Sequence, residues 1–112
     1  MRRGKSVMKS CGSIEEVRAN IDRLDREIVA LLCERHLYVN QAASFKKDAE
    51  AVKAPQRVEQ LINKVRTTAA EHGGDPDVIE QIYRGIVSTF IEHELRLHRE
   101  RTREQTCNPE NE

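Results

Sequence analysis

Aromatic residues and paired cysteines are both scarce in this 112-residue chain. It has no Trp and only 4% aromatic residues, beside 38% hydrophobic and 34% charged residues, which favours long amphipathic helices over a β-sandwich. Its three cysteines, Cys11, Cys33 and Cys107, are an odd number without CxxC spacing, which argues against a disulfide framework and a zinc site. We therefore expect an all-α protein without a metal, in a reducing compartment.

Excess charge and long apolar runs are lacking as well. The 19 basic and 19 acidic side chains cancel, so no global field would attract nucleic acid or an anionic membrane surface. No stretch approaches the ~18 apolar residues that a membrane span requires. Residues 1–12 contain several basic side chains, but they are not followed by the apolar run that a signal peptide needs. We expect a cytoplasmic protein that binds neither nucleic acid nor membrane, and whose anion sites are local.

What the sequence does have is a long stripe of apolar residues. Ser13 and Glu16 form a capping box that predicts the start of a helix. The apolar positions that follow alternate three and four residues apart: Ile14, Val17, Ile21, Leu24, Ile28, Leu31, Tyr38, Ala42 and Phe45. About 34 residues at ~1.5 Å each make a helix of roughly 50 Å, too long for a compact monomer of this size to cover. The stripe therefore predicts a partner chain.

Two shorter helices are predicted after this one. Residues 47–54 lose the stripe and predict a loop, which ends where Pro55 pushes the preceding residue out of helical geometry. The second helix runs from Pro55 to the pair Gly73-Gly74, and the third begins with Asp75 as N-cap and Pro76 in the first turn. The predicted organisation is a disordered tail over 1–12, a helical domain over 13–101 and a disordered tail over 102–112.

Arg35 interrupts the first apolar stripe, and Lys46 follows its last residue. Arg35 takes the heptad position of Ile14, Ile21 and Ile28, so its guanidinium should point at the packed interior, where it needs an anion. An interhelical ion pair or a side chain that reaches solvent from the edge of the stripe would also explain Arg35. Lys46 lies eleven residues further along the same side, although a Lys at a helix end is often only a partner of the helix dipole.

Arg18 predicts how two chains would combine. It lies seventeen residues before Arg35, or roughly 25 Å along a helix, so one small ligand cannot contact both within a chain. If two such helices pair antiparallel, Arg18 of one subunit approaches Arg35 of the other, and two equivalent sites result. This geometry favours a homodimer whose sites are shared between subunits.

A carboxylate also stands on an apolar stripe. Glu94 follows Ile86 and Phe90 at spacings of four, so it points where apolar residues should, unless it is a solvated carboxylate at the edge. Arg57, one turn into the second helix, could bind a ligand carboxylate or a neighbouring Glu. The histidines do not converge at metal-ligand spacing, and Cys33 has no evident base, so neither predicts a reactive centre.

Together these residues resemble the helical chorismate mutase family, in particular its isochorismate pyruvate lyase-like subgroup. The resemblance covers residues 13–99. It rests on the seventeen-then-eleven spacing of Arg18, Arg35 and Lys46, and on the segments Tyr38-Val39, Ala43, Phe45-Lys46 and Ala54-Pro55-Gln56-Arg57-Val58. The family implies three helices per chain in an intertwined homodimer, with pockets that take Arg18 from one subunit and Arg35, Lys46, Arg57 and Glu94 from the other.

The resemblance also implies a reaction and a role for each residue. Arg18 and Arg35 would bind the two carboxylates of the substrate, and Lys46 would face its ether oxygen. Glu94 falls where most relatives have Gln, and only its protonated form could donate to that oxygen. The implied reaction is the Claisen rearrangement of chorismate to prephenate, which needs no cofactor.

One departure leaves the substrate open. Chorismate mutases typically place Glu directly after the arginine of the second helix, where it receives the ring hydroxyl, but this chain has Val58. The lyase subgroup shares Val at that position and converts isochorismate to salicylate and pyruvate. A non-catalytic helical dimer is a third reading, and nucleic-acid binding is the weakest because basic and acidic residues alternate.

Overall fold

The computed structural model describes residues 10–106, and within that range the chain is helical without a strand. Four helices follow one another: α1 (Ile14–Ala43), α2 (Ala49–Lys53), α3 (Pro55–Glu71) and α4 (Pro76–Thr106). The all-α prediction is confirmed, with three main helices and one short helix between the first two.

The capping box starts α1 as predicted. The Ser13 hydroxyl accepts the backbone N–H of Glu16 at 3.1 Å, and the Glu16 carboxylate in turn accepts the N–H of Gly12 at 2.6 Å. The helix ends at Ala43, where the Ser44 hydroxyl donates to the carbonyl of Gln41 at 2.7 Å. It has 30 residues rather than about 34. Lys46 therefore lies just beyond the helix, in the connection to α2.

The predicted loop over 47–54 is wrong in part, because it contains α2. Asp48 caps this helix by accepting the N–H of Ala51 at 2.9 Å, and Lys53 is its last residue. Five residues are too few for an apolar period, so sequence periodicity could not reveal α2. The effect of Pro55 on its neighbour is confirmed, since Ala54 adopts a left-handed conformation with φ 37° and separates α2 from α3.

The last helix is longer than predicted. Asp75 accepts the N–H of Asp77 at 2.9 Å at its start, and α4 then continues for 31 residues to Thr106, five residues past the predicted boundary at 101. Its charged C-terminal residues are good helix formers, and cations there interact favourably with the helix dipole. The remaining parts of the two predicted tails, 1–9 and 107–112, lie outside the described residues.

The core lies mainly between α3 and α4. Its buried apolar residues come from every helix: Ala43, Val52, Ile62, Ala69 and Val87.

Charged side chains join α3 and α4 at the surface. Arg66 bonds to Asp77 at 2.9 Å and to Glu80 at 2.8 Å. Arg84 bonds to Glu80 at 2.8 Å and to Glu59 at 3.1 Å. The hydrogen bond from Arg84 lowers the pKa of both Glu59 and Glu80.

The apolar stripe of α1 remains largely uncovered in the single chain. Ile14, Ile21 and Ile28 are 53%, 49% and 51% exposed. The radius of gyration is 19.1 Å, whereas a compact chain of this length would have about 13 Å. Only the C-terminal part of α1 packs on α4, through contacts such as that between His36 and Phe90. No helix among the described residues could cross a membrane.

Candidate active site

A cavity of about 320 Å³ opens where the end of α1, α2, the start of α3 and the middle of α4 meet. Four cations line it: Arg35, Lys46, Lys53 and Arg57. Glu94 is the one acid in its lining. Apolar side chains such as Val39, Val58, Val87 and Ile91 form the rest of the wall. A volume of this size suits a small ligand, and the excess of cations suits a ligand with more than one negative charge.

Lys46 and Glu94 form an ion pair across the cavity. Lys46 Nζ donates to Glu94 Oε2 at 3.0 Å. The Glu94 side chain is 4% exposed and that of Lys46 26% exposed, so the carboxylate depends on this contact far more than the ammonium does. The inward direction expected of Glu94 is therefore observed, and the solvated-edge alternative is wrong. Protonation of Glu94 stays a prediction.

Arg35 reaches the cavity from α1, and its charge faces an aromatic ring. Its guanidinium carbon lies 5.1 Å from the centroid of Phe90. One terminal nitrogen, Nη1, is buried and has no hydrogen-bond partner within residues 10–106. The described part of the chain holds no ion pair of Arg35, so the interhelical pair considered for it is not found. An inward guanidinium that lacks its anion is what the sequence predicts for a ligand-binding Arg.

Arg57 and Val58 belong to the first turns of α3. Arg57 is exposed at the cavity and forms no ion pair with a described residue. The ion pair with a neighbouring Glu that its sequence position allows is therefore not found. Val58 is half-buried and presents a hydrocarbon surface beside it. The start of α3 thus supplies one free cation and an apolar wall.

Arg18 is the predicted site residue that the single chain does not bring to the cavity. It is exposed near the start of α1, and an unbroken helix separates it from Arg35 by roughly 25 Å. Its arrival from a partner subunit stays a prediction.

Two lining residues were missed by sequence reasoning. Lys53 fell in the predicted loop, and only the turn of α2 brings it to the cavity. Phe90 has the position of an ordinary member of the apolar stripe of α4, and no signal in the sequence marks it as the partner of Arg35. Within the described residues, no group of three or more potential metal ligands occurs.

Comparison with known proteins identifies the family of the chain. The family model "Chorismate mutase type II" matches residues 17–95, a range that begins just before Arg18 and ends just after Glu94. The chain belongs to the chorismate mutase type II family. It is also 30% identical over 92 residues to the isochorismate pyruvate lyase of Pseudomonas aeruginosa, an alignment that covers 82% of this chain and 91% of that protein. The resemblance drawn from the sequence is confirmed.

The cavity has the chemical character to bind a small dianion. Free cations on α1 and α3 can bind carboxylates, and Lys46 is available to an oxygen that gains negative charge. The apolar wall lowers the local dielectric constant, which strengthens each of these interactions. The arrangement supports stabilisation of a dianion and of charge developing within it.

Proposed function

We propose that this protein is a chorismate mutase that converts chorismate to prephenate. The observation that carries the proposal is the cavity in which Arg35, Arg57 and Lys46 surround a space of about 320 Å³. In the rearrangement one C–O bond breaks and one C–C bond forms within a single molecule, so no nucleophile, base or cofactor takes part. The demands on the protein are orientation of the substrate and stabilisation of charge.

Three cations have a role in this reaction. Arg35, together with Arg18 of a partner subunit, holds the two carboxylates, which keeps the enolpyruvyl group over the ring in a reactive conformation. Lys46 then donates to the ether oxygen as the C–O bond breaks. In the free protein Lys46 Nζ is 3.0 Å from Glu94. The substrate therefore shares this ammonium with Glu94, and a protonated Glu94 would donate to the same oxygen.

The lyase reaction of isochorismate is the second candidate, and two observations favour it. The pocket offers Val58 where a mutase would offer a Glu to the ring hydroxyl, and its one acid is already bonded to Lys46. The relative of known activity, with 30% identity, is an isochorismate pyruvate lyase. The same carboxylate clamp and the same Lys46 would serve the loss of pyruvate, because it too breaks the ether C–O bond.

A paired turnover assay separates these candidates. The protein is incubated with chorismate and with isochorismate, and prephenate, salicylate and pyruvate are quantified. Prephenate from chorismate supports the proposal, and salicylate with pyruvate from isochorismate supports the second candidate. Absence of turnover for both would reject both in favour of a non-catalytic helical module.

Lys46→Ala tests the site itself in the same assay. We expect turnover to fall ~10²-fold or more, as for removal of an oxyanion donor. Lys47→Ala is the matched control, because Lys47 is exposed and does not line the cavity. A Lys46→Ala variant with the turnover of Lys47→Ala would reject the assignment of Lys46.

We also propose that the active form is a homodimer in which the α1 stripe is buried against a second copy. The half-exposed isoleucines of α1, the extended shape and the distance of Arg18 from the cavity support this arrangement. Two variants with strongly reduced activity test it. In a mixed dimer of Arg18→Ala and Arg35→Ala chains, one site carries both changes and the other carries none. Mixing after unfolding and refolding should recover about a quarter of wild-type activity, whereas sites built within one chain would recover none.

A further inference from the structure

Phe90 lines the cavity, and the proposed reaction gives it no role. We propose that Phe90 is a positioning residue, whose ring holds the Arg35 guanidinium in the orientation that binds a substrate carboxylate. The proposal rests on the assignment of Arg35 to carboxylate binding.

The contacts of Phe90 are with polar groups as well as with the core. The guanidinium carbon of Arg35 lies 5.1 Å from the ring centroid, and the ring of the next residue, His36, lies 5.0 Å from it. Two consecutive residues of α1 therefore meet the same ring of α4. Both Phe90 and Val87 line the cavity, but Phe90 is only half-buried, whereas Val87 one turn earlier is buried in the core. Its position is that of a cavity wall facing a cation.

The state of Arg35 explains why it needs such a neighbour. Its Nη1 is buried without a hydrogen-bond partner in the described chain, and no carboxylate there pairs with it. The buried side of this guanidinium is poorly solvated, so the negative face of the aromatic ring is its electrostatic partner there until a ligand binds. The ring attracts the cation without neutralising it, and its donors remain free for a carboxylate. Phe90 thus keeps the cation oriented at little cost to its affinity for an anion.

Kinetics of two Phe90 variants test this role. Phe90→Leu removes the aromatic face but keeps an apolar side chain, and we expect KM to rise roughly 5- to 30-fold, the range of a partly desolvated cation–π contact, with a smaller change in kcat. Phe90→Tyr keeps the ring and should remain within about 3-fold of wild type. Tyr83→Leu is the control for losing an aromatic ring on α4, because Tyr83 lies outside the cavity lining; it should leave KM unchanged.

A double-variant cycle shows whether Phe90 acts through Arg35. In an Arg35→Ala background, Phe90→Leu should have no further effect on KM. A packing role alone would give the same fold-change in both backgrounds and would overturn the proposal. So would a Phe90→Tyr variant as impaired as Phe90→Leu, or an unchanged KM in Phe90→Leu.

Nuclear magnetic resonance of the ligand-free protein gives a readout that does not depend on turnover. The guanidinium signals of Arg35, assigned with Arg35→Lys, should carry a ring-current shift that is lost in Phe90→Leu and kept in Phe90→Tyr. An unchanged Arg35 signal in Phe90→Leu would overturn the proposal. Absence of wild-type turnover on either substrate would reject the proposed function, while the Arg35 signals would still decide whether Phe90 orients that side chain.

Discussion

Replacing Lys46 by Met should destabilise the fold far more than replacing Glu94 by Gln, although both changes remove the same ion pair. The reason lies in the unequal burial of the partners, since the side chain of Glu94 is 4% exposed and that of Lys46 26% exposed. Lys46→Met leaves an almost fully buried carboxylate without its ion-pair partner. Glu94→Gln leaves an ammonium that can shift towards water and that keeps an amide oxygen as acceptor.

The expected magnitudes follow from this asymmetry. Loss of one partner of a buried pair costs about 3–5 kcal/mol, and the partial exposure of Lys46 places Lys46→Met near the lower end, at about 3 kcal/mol. Glu94→Gln weakens one charged hydrogen bond and should cost about 1 kcal/mol. For a domain of this size these values correspond to a fall in Tm of roughly 15 °C and 5 °C. The double variant Lys46→Met/Glu94→Gln removes both charges and should recover most of the stability that Lys46→Met loses.

Thermal and urea unfolding of the wild type, Lys46→Met, Glu94→Gln and the double variant measure these differences. Protein concentration is kept constant, because association of chains would itself raise Tm. Lys47→Met is the control for removing a Lys from this connection, since Lys47 is exposed and has no ion pair among the described residues; it should change stability by less than about 0.5 kcal/mol. Equal losses for Lys46→Met and Glu94→Gln, or additive losses in the double variant, would refute the reasoning.

Two further predictions concern a glycine of α4 and the pH dependence of stability. Gly85→Ala should raise the free energy of unfolding in urea by about 0.5–1 kcal/mol, because the added Cβ meets no atom within 4 Å; a decrease would indicate close approach by another chain. Because hydrogen bonds from Arg84 and Arg66 lower the pKa of Glu80, the ion pairs of this carboxylate contribute fully above the ordinary value of 4.5 and are lost as pH falls through the lower folded value. Tm should therefore fall on acidification below pH 4.5, and less steeply in Glu80→Gln.

Local signals in the sequence were enough to place the main helices. The Ser13 capping box, the Pro55 boundary and the Asp75 cap each depend on hydrogen bonds or sterics within a few residues, and each appears in the structure. The inward direction of Arg35 and Glu94 was also predictable, because helical period alone decides which face a residue occupies. These features need no knowledge of which helices become neighbours.

Other features depend on neighbours and were missed. The end of α4 was placed too early because a polar run has no apolar period, although its residues form a helix readily. The short α2 is defined by one Asp48 cap and by packing of Val52, and it brings Lys53 to the cavity. Neither feature follows from a repeating pattern.

The sequence by itself determined the three main helices, their starts and the inward direction of Arg35 and Glu94, because these follow from period and capping over three or four residues. Only the tertiary structure decided that Lys46 bonds to Glu94, 48 residues away, and that Arg35 meets Phe90. Such pairs depend on the angle and register at which two helices pack, which is set by all the side chains of the interface at once. The packing of the exposed apolar stripe of α1 also depends on its neighbour, which is proposed to be a second copy of the chain.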